Sequence, residues 1–287
     1  MSNPLRVAYL TALKHALRAA MSVLRLTRPF IPEPIRKKLR GQYRSMDVRF
    51  SFSPANILDQ EIAKAKGENY MRWYAKYKNE QTESMDDSNP AARAFLDSGV
   101  NDLDICKSFG MQPHHRLHEF GTGRGRSAQF FVAYLDADKY SGNDASSYQI
   151  ELCRQRIKDL GLLESKRPRF IVNPDNRMEW MNGEKVDFIY NFAVITHVPP
   201  EDAEEIIGNT AKMMHAKSLF LCSYTENAAQ TMERYTHKDW CYNFAFFERV
   251  AAKYGMRVEN VSDRLPPREI PPGFPLHYQR LAKFALA

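Results

Sequence analysis

The sequence has few cysteines, and they have none of the spacings that hold a metal ion. Cys106, Cys153, Cys222 and Cys241 are far apart and form no Cys-x-x-Cys pair. Structural zinc sites and redox dithiols use that pair. The sequence therefore predicts no metal site and no disulfide framework, and it favours a reducing, cytoplasmic compartment.

The N-terminal segment lacks acidic residues and a long apolar run. Residues 1–45 hold ten basic side chains and a single acid, Glu33, in a chain whose net charge is +7. The rest of the chain is therefore slightly acidic, at −2, and no basic groove for a nucleic acid is expected there. Residues 4–28 have helical periodicity, but basic side chains interrupt the apolar positions, so neither a membrane span nor a secretory signal is predicted.

The helix predicted over residues 4–28 has a polar and an apolar face. The polar face consists of Thr11, Lys14, His15, Arg18, Ser22 and Arg25, and the apolar face of Leu5, Tyr9, Ala12, Leu13, Ala16, Ala20, Val23 and Leu24. A basic cluster, Arg36–Arg40, follows. Residues 4–40 are thus typical of a segment that binds the anionic inner surface of a membrane. Packing on the chain's own domain, or on a second subunit of a homodimer, is an equally good interpretation, and a mitochondrial transit peptide is a third.

Glycine is concentrated between a short apolar run and a helical pattern. Leu117–Phe120 predicts the end of a buried parallel strand, and Gly121, Gly123 and Gly125 allow the backbone to turn sharply and approach a ligand. Helical spacing resumes at Ser127, so the free N–H groups of a helix start face the same ligand. The stretch predicts a cradle for a nucleotide or a carboxylate.

The glycine spacing differs from the Gly-x-Gly-x-x-Gly of dinucleotide cradles. The segment Glu119-Phe-Gly-Thr-Gly-Arg-Gly-Arg-Ser127 closely resembles the first motif of the class I S-adenosylmethionine (SAM) dependent methyltransferases. Three further landmarks follow in that family's order: a strand that ends at Asp144, a strand at Arg169–Asn176, and a strand with its loop at Val186–Pro200.

The resemblance implies a fold, a cofactor and a set of binding residues. The expected fold is α/β and Rossmann-like, with a mostly parallel seven-stranded sheet, helices on both faces and an N-terminal helical extension. In this family the glycine loop wraps SAM, the acid before it helps to hold the amino group, and the acid of the second strand accepts the ribose hydroxyls. The implied cofactor residues are Glu119, Gly121, Thr122, Gly123, Gly125, Asp144, Ala145, Asp175, Asn176, Asn191 and Phe192. The product would be S-adenosyl-L-homocysteine.

Two histidines are candidates for a catalytic base. Methyl transfer to a hydroxyl benefits from a base whose pKa is near neutrality, and His197 follows the fourth strand, with His237 as a second candidate. A bracing role in a turn is the alternative for His197. The segment 225–243 is aromatic and poorly periodic, which is typical of a substrate lid. The predicted substrate and lid residues are Trp73, Tyr77, Tyr224, Trp240 and Tyr242, although an aromatic stripe such as that of Trp73 and Tyr77 more often packs in a core.

We expect three parts: a basic extension (1–45), a helical lead-in (46–110) and a methyltransferase domain (111–287). The predicted activity is methyl transfer to an oxygen or nitrogen atom of a small-molecule, sugar or lipid-linked acceptor. One alternative is a catalytically inactive partner subunit of the same fold. An NAD(P)-binding oxidoreductase is the other, and the glycine spacing disfavours it.

Overall fold

The computed structural model describes residues 3–27, 54–80, 90–227, 229–234, 236, 238–265 and 277–287. The helices in these ranges are α1 (Pro4–Thr27), α2 (Pro54–Ala65), α3 (Tyr70–Glu80), α4 (Pro90–Asp97), α5 (Val100–Ser108), α6 (Ala128–Tyr134), α7 (Ser147–Asp159), α8 (Leu163–Lys166), α9 (Pro200–Lys212) and α10 (Phe244–Lys253). The strands are β1 (Leu117–Phe120), β2 (Tyr140–Asp144), β3 (Arg169–Val172), β4 (Val186–Asn191), β5 (Met214–Asn227), β6 (Glu233–Arg234), β7 (Trp240–Cys241), β8 (Met256–Asn260) and β9 (His277–Leu286).

Seven of these strands form one sheet, in the order β3-β2-β1-β4-β5-β9-β8. The pairs formed among β1 to β5 are all parallel, whereas β9 runs antiparallel to both β5 and β8. The predicted mostly parallel, seven-stranded sheet is therefore confirmed. β1 lies between β2 and β4, so the strand order reverses there, and open α/β sheets bind ligands at such a point.

The core lies on both faces of the sheet. Successive side chains of β4 enter two different apolar clusters, Phe188 and Tyr190 in one and Ile189 in the other. This alternation follows from the two-residue period of a strand. Each of the three side chains is at most 5% exposed, and burial of one such side chain stabilises the fold by about 1.5–3 kcal/mol. The paired layers hold the ends of β1, β2 and β4 in a fixed register.

The segment 225–243 differs from the predicted lid. β5 continues to Asn227, and the hairpin of β6 and β7 orders part of the remainder. Tyr224 packs against Phe247 with ring centroids 4.5 Å apart, and the Tyr242 hydroxyl donates to Val198 O at 2.6 Å. Trp240 packs against Tyr70. The predicted lid aromatics Tyr224, Trp240 and Tyr242 therefore lie in the core, because their rings pack on neighbouring aromatic side chains.

The N-terminal helices precede the sheet domain in the chain and pack against one another. α1 packs against α2, and α2 packs against α3. The helix predicted over residues 4–28 is present almost to its predicted end, whereas the basic cluster at 36–40 lies outside the described residues. Within the described ranges, no helix has an apolar stretch long enough to cross a membrane.

Candidate active site

A cavity of about 500 Å³ opens at the carboxyl ends of β1, β2 and β4. Its volume is within the range of about 300–1,000 Å³ that small-molecule sites have. Eight of the predicted site residues line it: Glu119, Gly121, Thr122, Gly123, Asp144, Ala145, Phe192 and His197. They come from three strand ends and one loop, which the strand order brings to a single edge of the sheet.

The glycine loop turns through backbone conformations that favour glycine. The φ angles of Gly121, Gly123 and Gly125 are +80°, +52° and +87°. A Cβ atom on Gly121 would lie 2.2 Å from Cγ2 of Val194, so any side chain at this position would clash with Val194. The N–H groups of Gly121 and Thr122 both donate to the carbonyl oxygen of Asn143, at 2.8 and 3.0 Å. These bonds fix the loop to the end of β2.

Asp144 links the same loop to the start of α7. Its two carboxylate oxygens accept the N–H groups of Gly123 and Ser146, at 3.0 and 2.9 Å. Burial raises the pKa of Asp144 above its ordinary value, although these backbone hydrogen bonds oppose the shift. A carboxylate has about four lone-pair positions. Asp144 therefore keeps acceptor capacity for the hydroxyl groups of a ligand in the cavity.

Glu119 is a buried acid beneath the loop. Its side chain accepts a hydrogen bond of 2.6 Å from the hydroxyl of Tyr140, and the residue is 4% exposed. Burial raises the pKa of Glu119 to about 8, against the lowering effect of that hydrogen bond. A buried carboxyl group without a cationic partner binds its proton near neutral pH. The site thus contains an acid that a cationic ligand group would convert to a carboxylate.

Two buried amide groups on the cavity wall have polar atoms without a partner. Among the described residues, neither Asn173 Nδ2 nor Gln279 Oε1 has a hydrogen-bond partner. Such atoms are rare in folded proteins because leaving them unpaired costs free energy. They supply one donor and one acceptor to a polar ligand, and together with the glycine loop, Asp144 and Glu119 they fit a nucleoside carrying an amino acid.

Asn173 lies where the sequence predicted Asp175 or Asn176. β3 ends at Val172, so the first residue beyond the strand reaches the cavity. Asp175 instead forms an ion pair of 2.9 Å with Arg177, and the Asn176 amide donates to Asp202 at 2.8 Å. Neither residue lines the cavity. The predicted position was too far along the chain because the strand end was placed too late.

The other predicted residues lie behind the wall. A Cβ atom on Gly125 would lie 3.1 Å from Sγ of Cys153 in α7, and Asn191 is fully buried at the end of β4 and does not line the cavity. Trp73 and Tyr77 stack on each other, with centroids 5.2 Å apart, beside a second cavity next to α1 and α2. Tyr74, from the same helix, lines the main cavity.

His197 forms a hydrogen-bonded pair with an acid. Its Nδ1 contacts Oδ1 of Asp239, and its ring stacks on Tyr74 with centroids 6.1 Å apart. Asp239 also accepts hydrogen bonds from the Thr236 hydroxyl at 2.5 Å and from the Lys238 ammonium at 2.9 Å. The His197 side chain is 28% exposed and lines the cavity. The pair therefore holds an imidazole ring in a fixed orientation on the cavity wall.

The environment of His197 favours its neutral form. Burial lowers the pKa of His197, the hydrogen bond to Asp239 raises it, and the charge of Lys238 lowers it, with a net lowering. The contacts of Asp239 with His197 and Lys238 hold the pKa of Asp239 far below its usual range. The pair at neutral pH is thus an imidazole beside a carboxylate, the state that a general base requires.

Sequence reasoning missed Asp239, because 42 residues separate it from His197 and no local motif connects them. Arg126, within the glycine loop, forms an ion pair with buried Asp102 and lies over the ring of Phe192, 4.8 Å from the centroid. The Ser127 hydroxyl contacts the same carboxylate. The charge of Arg126 therefore braces the glycine loop. The second base candidate, His237, lies outside the described residues.

The strand order, the glycine loop and the cavity at the reversal point define a Rossmann-like class I methyltransferase fold. Residues 118–217, from β1 into β5, match the family model described as a methyltransferase domain. This part of the chain is therefore a methyltransferase domain within a class I fold, and SAM is the cofactor that such a domain implies.

Three solved structures illustrate the likeness of the whole fold. A SAM-dependent methyltransferase from Clostridium acetobutylicum has a TM-score of 0.52 at 9% identity, over 76% of this chain and 99% of that one. The CcbJ methyltransferase from Streptomyces caelestis has a TM-score of 0.52 at 10% identity, over 67% and 90%. Magnesium protoporphyrin IX methyltransferase from Synechocystis, with bound S-adenosylhomocysteine, has a TM-score of 0.50 at 15% identity, over 81% and 99%. At these identities the likeness is one of fold.

Proposed function

We propose that this methyltransferase acts on a hydroxyl oxygen of a small-molecule, sugar or lipid acceptor, with His197 as the general base. The observation that carries the proposal is the pair of His197 and Asp239 on the wall of the cavity. A nitrogen acceptor that is already uncharged needs no strong base, so the presence of an oriented imidazole favours oxygen.

The residues at the strand ends suit the cofactor. The glycine loop, Asp144 and Asn173 would hold the nucleoside, and Glu119 lies behind the loop, where a cationic amino group would stabilise its carboxylate. SAM, when bound, supplies a methyl group that is already activated by its sulfonium. The protein's own task is therefore to position the acceptor oxygen and to remove its proton.

Proton removal follows from the tautomer of His197. Because Nδ1 contacts the carboxylate of Asp239, the neutral ring carries its proton on Nδ1, and Nε2 has the free lone pair. The acceptor hydroxyl donates its proton to Nε2 as its oxygen becomes a nucleophile. Asp239 then stabilises the imidazolium, and the proton leaves to water after the reaction.

The cavity wall also has apolar members, Met71, Tyr74, Val194 and Val198. Lys78 lines the same cavity, and its charge helps to lower the pKa of His197. Apolar walls exclude water, which strengthens the electrostatic contacts of the pair and limits competing reactions. They also suit an acceptor with an apolar body, such as an aromatic ring or a lipid.

The test begins with the cofactor. SAM, S-adenosylhomocysteine and NADH are titrated into the purified protein by calorimetry, with Asp144→Ala as the site variant and Asp159→Ala, on the exposed end of α7, as the matched acid control. We expect SAM and its product to bind, NADH not to bind, and only Asp144→Ala to weaken binding. A screen of hydroxyl and amine acceptors with methyl-labelled SAM follows.

The outcomes separate the alternatives. Label transfer to hydroxyl compounds supports the proposal, and transfer to amines alone would overturn the oxygen assignment. Binding of SAM without transfer to any acceptor class would favour an inactive partner subunit, whereas binding of NADH would favour an oxidoreductase.

A further inference from the structure

We propose that the outer face of α1 binds the surface of an anionic lipid bilayer. We define this face by Leu5, Ala8, Tyr9, Ala12, Leu13 and Ala16, all of which are exposed. The proposal does not depend on the acceptor or on the function proposed above, because it concerns a surface outside the cavity.

The helix packs with an unusual orientation. A surface helix normally buries its apolar stripe and exposes its charges. In α1, Leu5, Tyr9 and Leu13 are 85%, 69% and 44% exposed, whereas the side chain of Lys14 is only 16% exposed and pairs with Asp59 of α2. The apolar face that the sequence predicted therefore points to solvent, while part of the predicted polar face is directed at the protein.

The exposed side chains form one continuous stripe. Residues four apart on a helix are neighbours, so Leu5, Tyr9 and Leu13 lie in a row, and the three exposed alanines fill the space beside them. Soluble proteins rarely leave a continuous apolar patch in water, and such a patch marks an interaction surface. The stripe thus requires a partner with an apolar surface or interior.

Charge decides which partner fits. Arg6 lies at the edge of the stripe, with a side chain that is 54% exposed and also pairs with Glu61 of α2, and residues 1–45 carry ten basic side chains against one acid. Basic residues beside an apolar stripe are attracted by anionic headgroups while the apolar side chains enter the acyl boundary. Tyr9 has the amphipathic ring that is enriched at this boundary.

A second copy of the chain fits this face less well. A two-fold contact would bring together two copies of the N-terminal segment, each with ten basic side chains and one acid in residues 1–45, so the net charges of the two segments would repel each other. α1 spans 24 residues and no described helix has a membrane-spanning apolar stretch. The helix would therefore lie in the plane of the surface, with the sheet domain on the water side.

Flotation of the full chain with lipid vesicles tests the proposal. Vesicles of phosphatidylcholine alone are compared with vesicles that also contain phosphatidylglycerol, at low and at high salt. The variant combines Leu5→Ser, Tyr9→Ser and Leu13→Ser. Its matched control combines Leu160→Ser and Val172→Ser, which are 52% and 45% exposed elsewhere on the domain. Retained SAM binding shows that each variant is folded.

We expect binding only to the anionic vesicles, a decrease at high salt, and a loss of roughly a hundredfold in the triple variant but not in the control. Failure of the wild-type chain to float with anionic vesicles would overturn the proposal. Equal binding by the triple variant would also overturn it. If light scattering showed a dimer of the wild-type chain and a monomer of the triple variant, and the wild type did not bind vesicles, the face would be assigned to self-association instead.

Discussion

The two ends of the cavity are built in different ways. The cofactor end, which comprises the glycine loop, Glu119, Asp144 and Asn173, is made from neighbouring strand ends tied together by backbone hydrogen bonds. The base end, which comprises His197, Asp239 and Tyr74, is assembled from three segments that are far apart in the chain. The first end thus depends on local backbone geometry, and the second on how distant segments pack.

The difference predicts that the two ends can be damaged separately. A change at the cofactor end alters cofactor affinity or the stability of the loop, since its contacts are part of the sheet edge. A change at the base end alters the rate of methyl transfer and leaves cofactor affinity intact. The four predictions that follow test this separation, from the largest expected effect to the smallest.

Removal of the imidazole at the base end has the largest expected effect. His197→Gln should lower kcat by about a hundredfold to ten-thousandfold, the usual contribution of a general base, without changing SAM affinity. The rate of methyl transfer to a hydroxyl acceptor measures this loss in kcat. The matched control is His215→Gln, which removes another histidine paired with an acid, Asp187 at 3.0 Å, outside the residues that line the cavity. An equal loss in the control would point to a general structural effect.

Two glycines of the cofactor end should differ in stability. Both Gly121→Ala and Gly123→Ala place a side chain at positive φ, which costs roughly 1–2 kcal/mol. Only at Gly121 would the new Cβ also meet Val194, and overpacking adds about 1–3 kcal/mol. Denaturant unfolding measures the two losses. Val194→Ala should recover part of the loss of Gly121→Ala and none of that of Gly123→Ala; identical losses for both glycines would contradict the assigned contact.

The charges around His197 should move the pH profile in opposite directions. Asp239→Asn removes an interaction that raises the pKa of His197, so the acid limb of kcat/KM should move to lower pH. Lys238→Gln removes an interaction that lowers this pKa, so the limb should move to higher pH. The Asn variant should also lose about tenfold to a hundredfold in rate, because the ring is less well oriented. If the acid limb of the kcat/KM profile stayed at the same pH in both variants, His197 would not be the general base.

Glu119 should release a proton when the cofactor binds. Its pKa of about 8 in the free protein means that it is largely protonated at pH 7, and a cationic amino group nearby would lower that pKa. Binding should therefore release close to one proton at pH 7 and become tighter as the pH rises toward 8. Calorimetry in buffers of different ionisation enthalpy measures the release. Glu119→Gln should abolish it, and an unchanged release in that variant would assign the proton elsewhere.

The same division explains how much could be predicted from the sequence. The fold and most of the cofactor end were predictable, because Glu119, the glycines and Asp144 belong to short segments with fixed spacing in neighbouring strands. The shift from Asp175 to Asn173 arose because apolar periodicity does not fix the last residue of a strand.

Of the base end, the sequence predicted the histidine and not its acidic partner. His197 was found from its place after β4, but Asp239 reaches it through tertiary packing that no local pattern records. On α3, the aromatic stripe has two packed sides, so Tyr74 faces the cavity while Trp73 and Tyr77 face the side of α1 and α2. Periodicity showed that the helix is amphipathic and not which aromatic ring meets the ligand.

One comparison tests the central claim most directly. SAM affinity and the rate of methyl transfer are measured on the same preparations of the wild-type protein, Asp144→Ala and His197→Gln. The account predicts that Asp144→Ala loses affinity, whereas His197→Gln binds SAM as the wild type does and loses transfer. A His197→Gln variant that transfers methyl groups at the wild-type rate, or that loses affinity as strongly as Asp144→Ala, would contradict it.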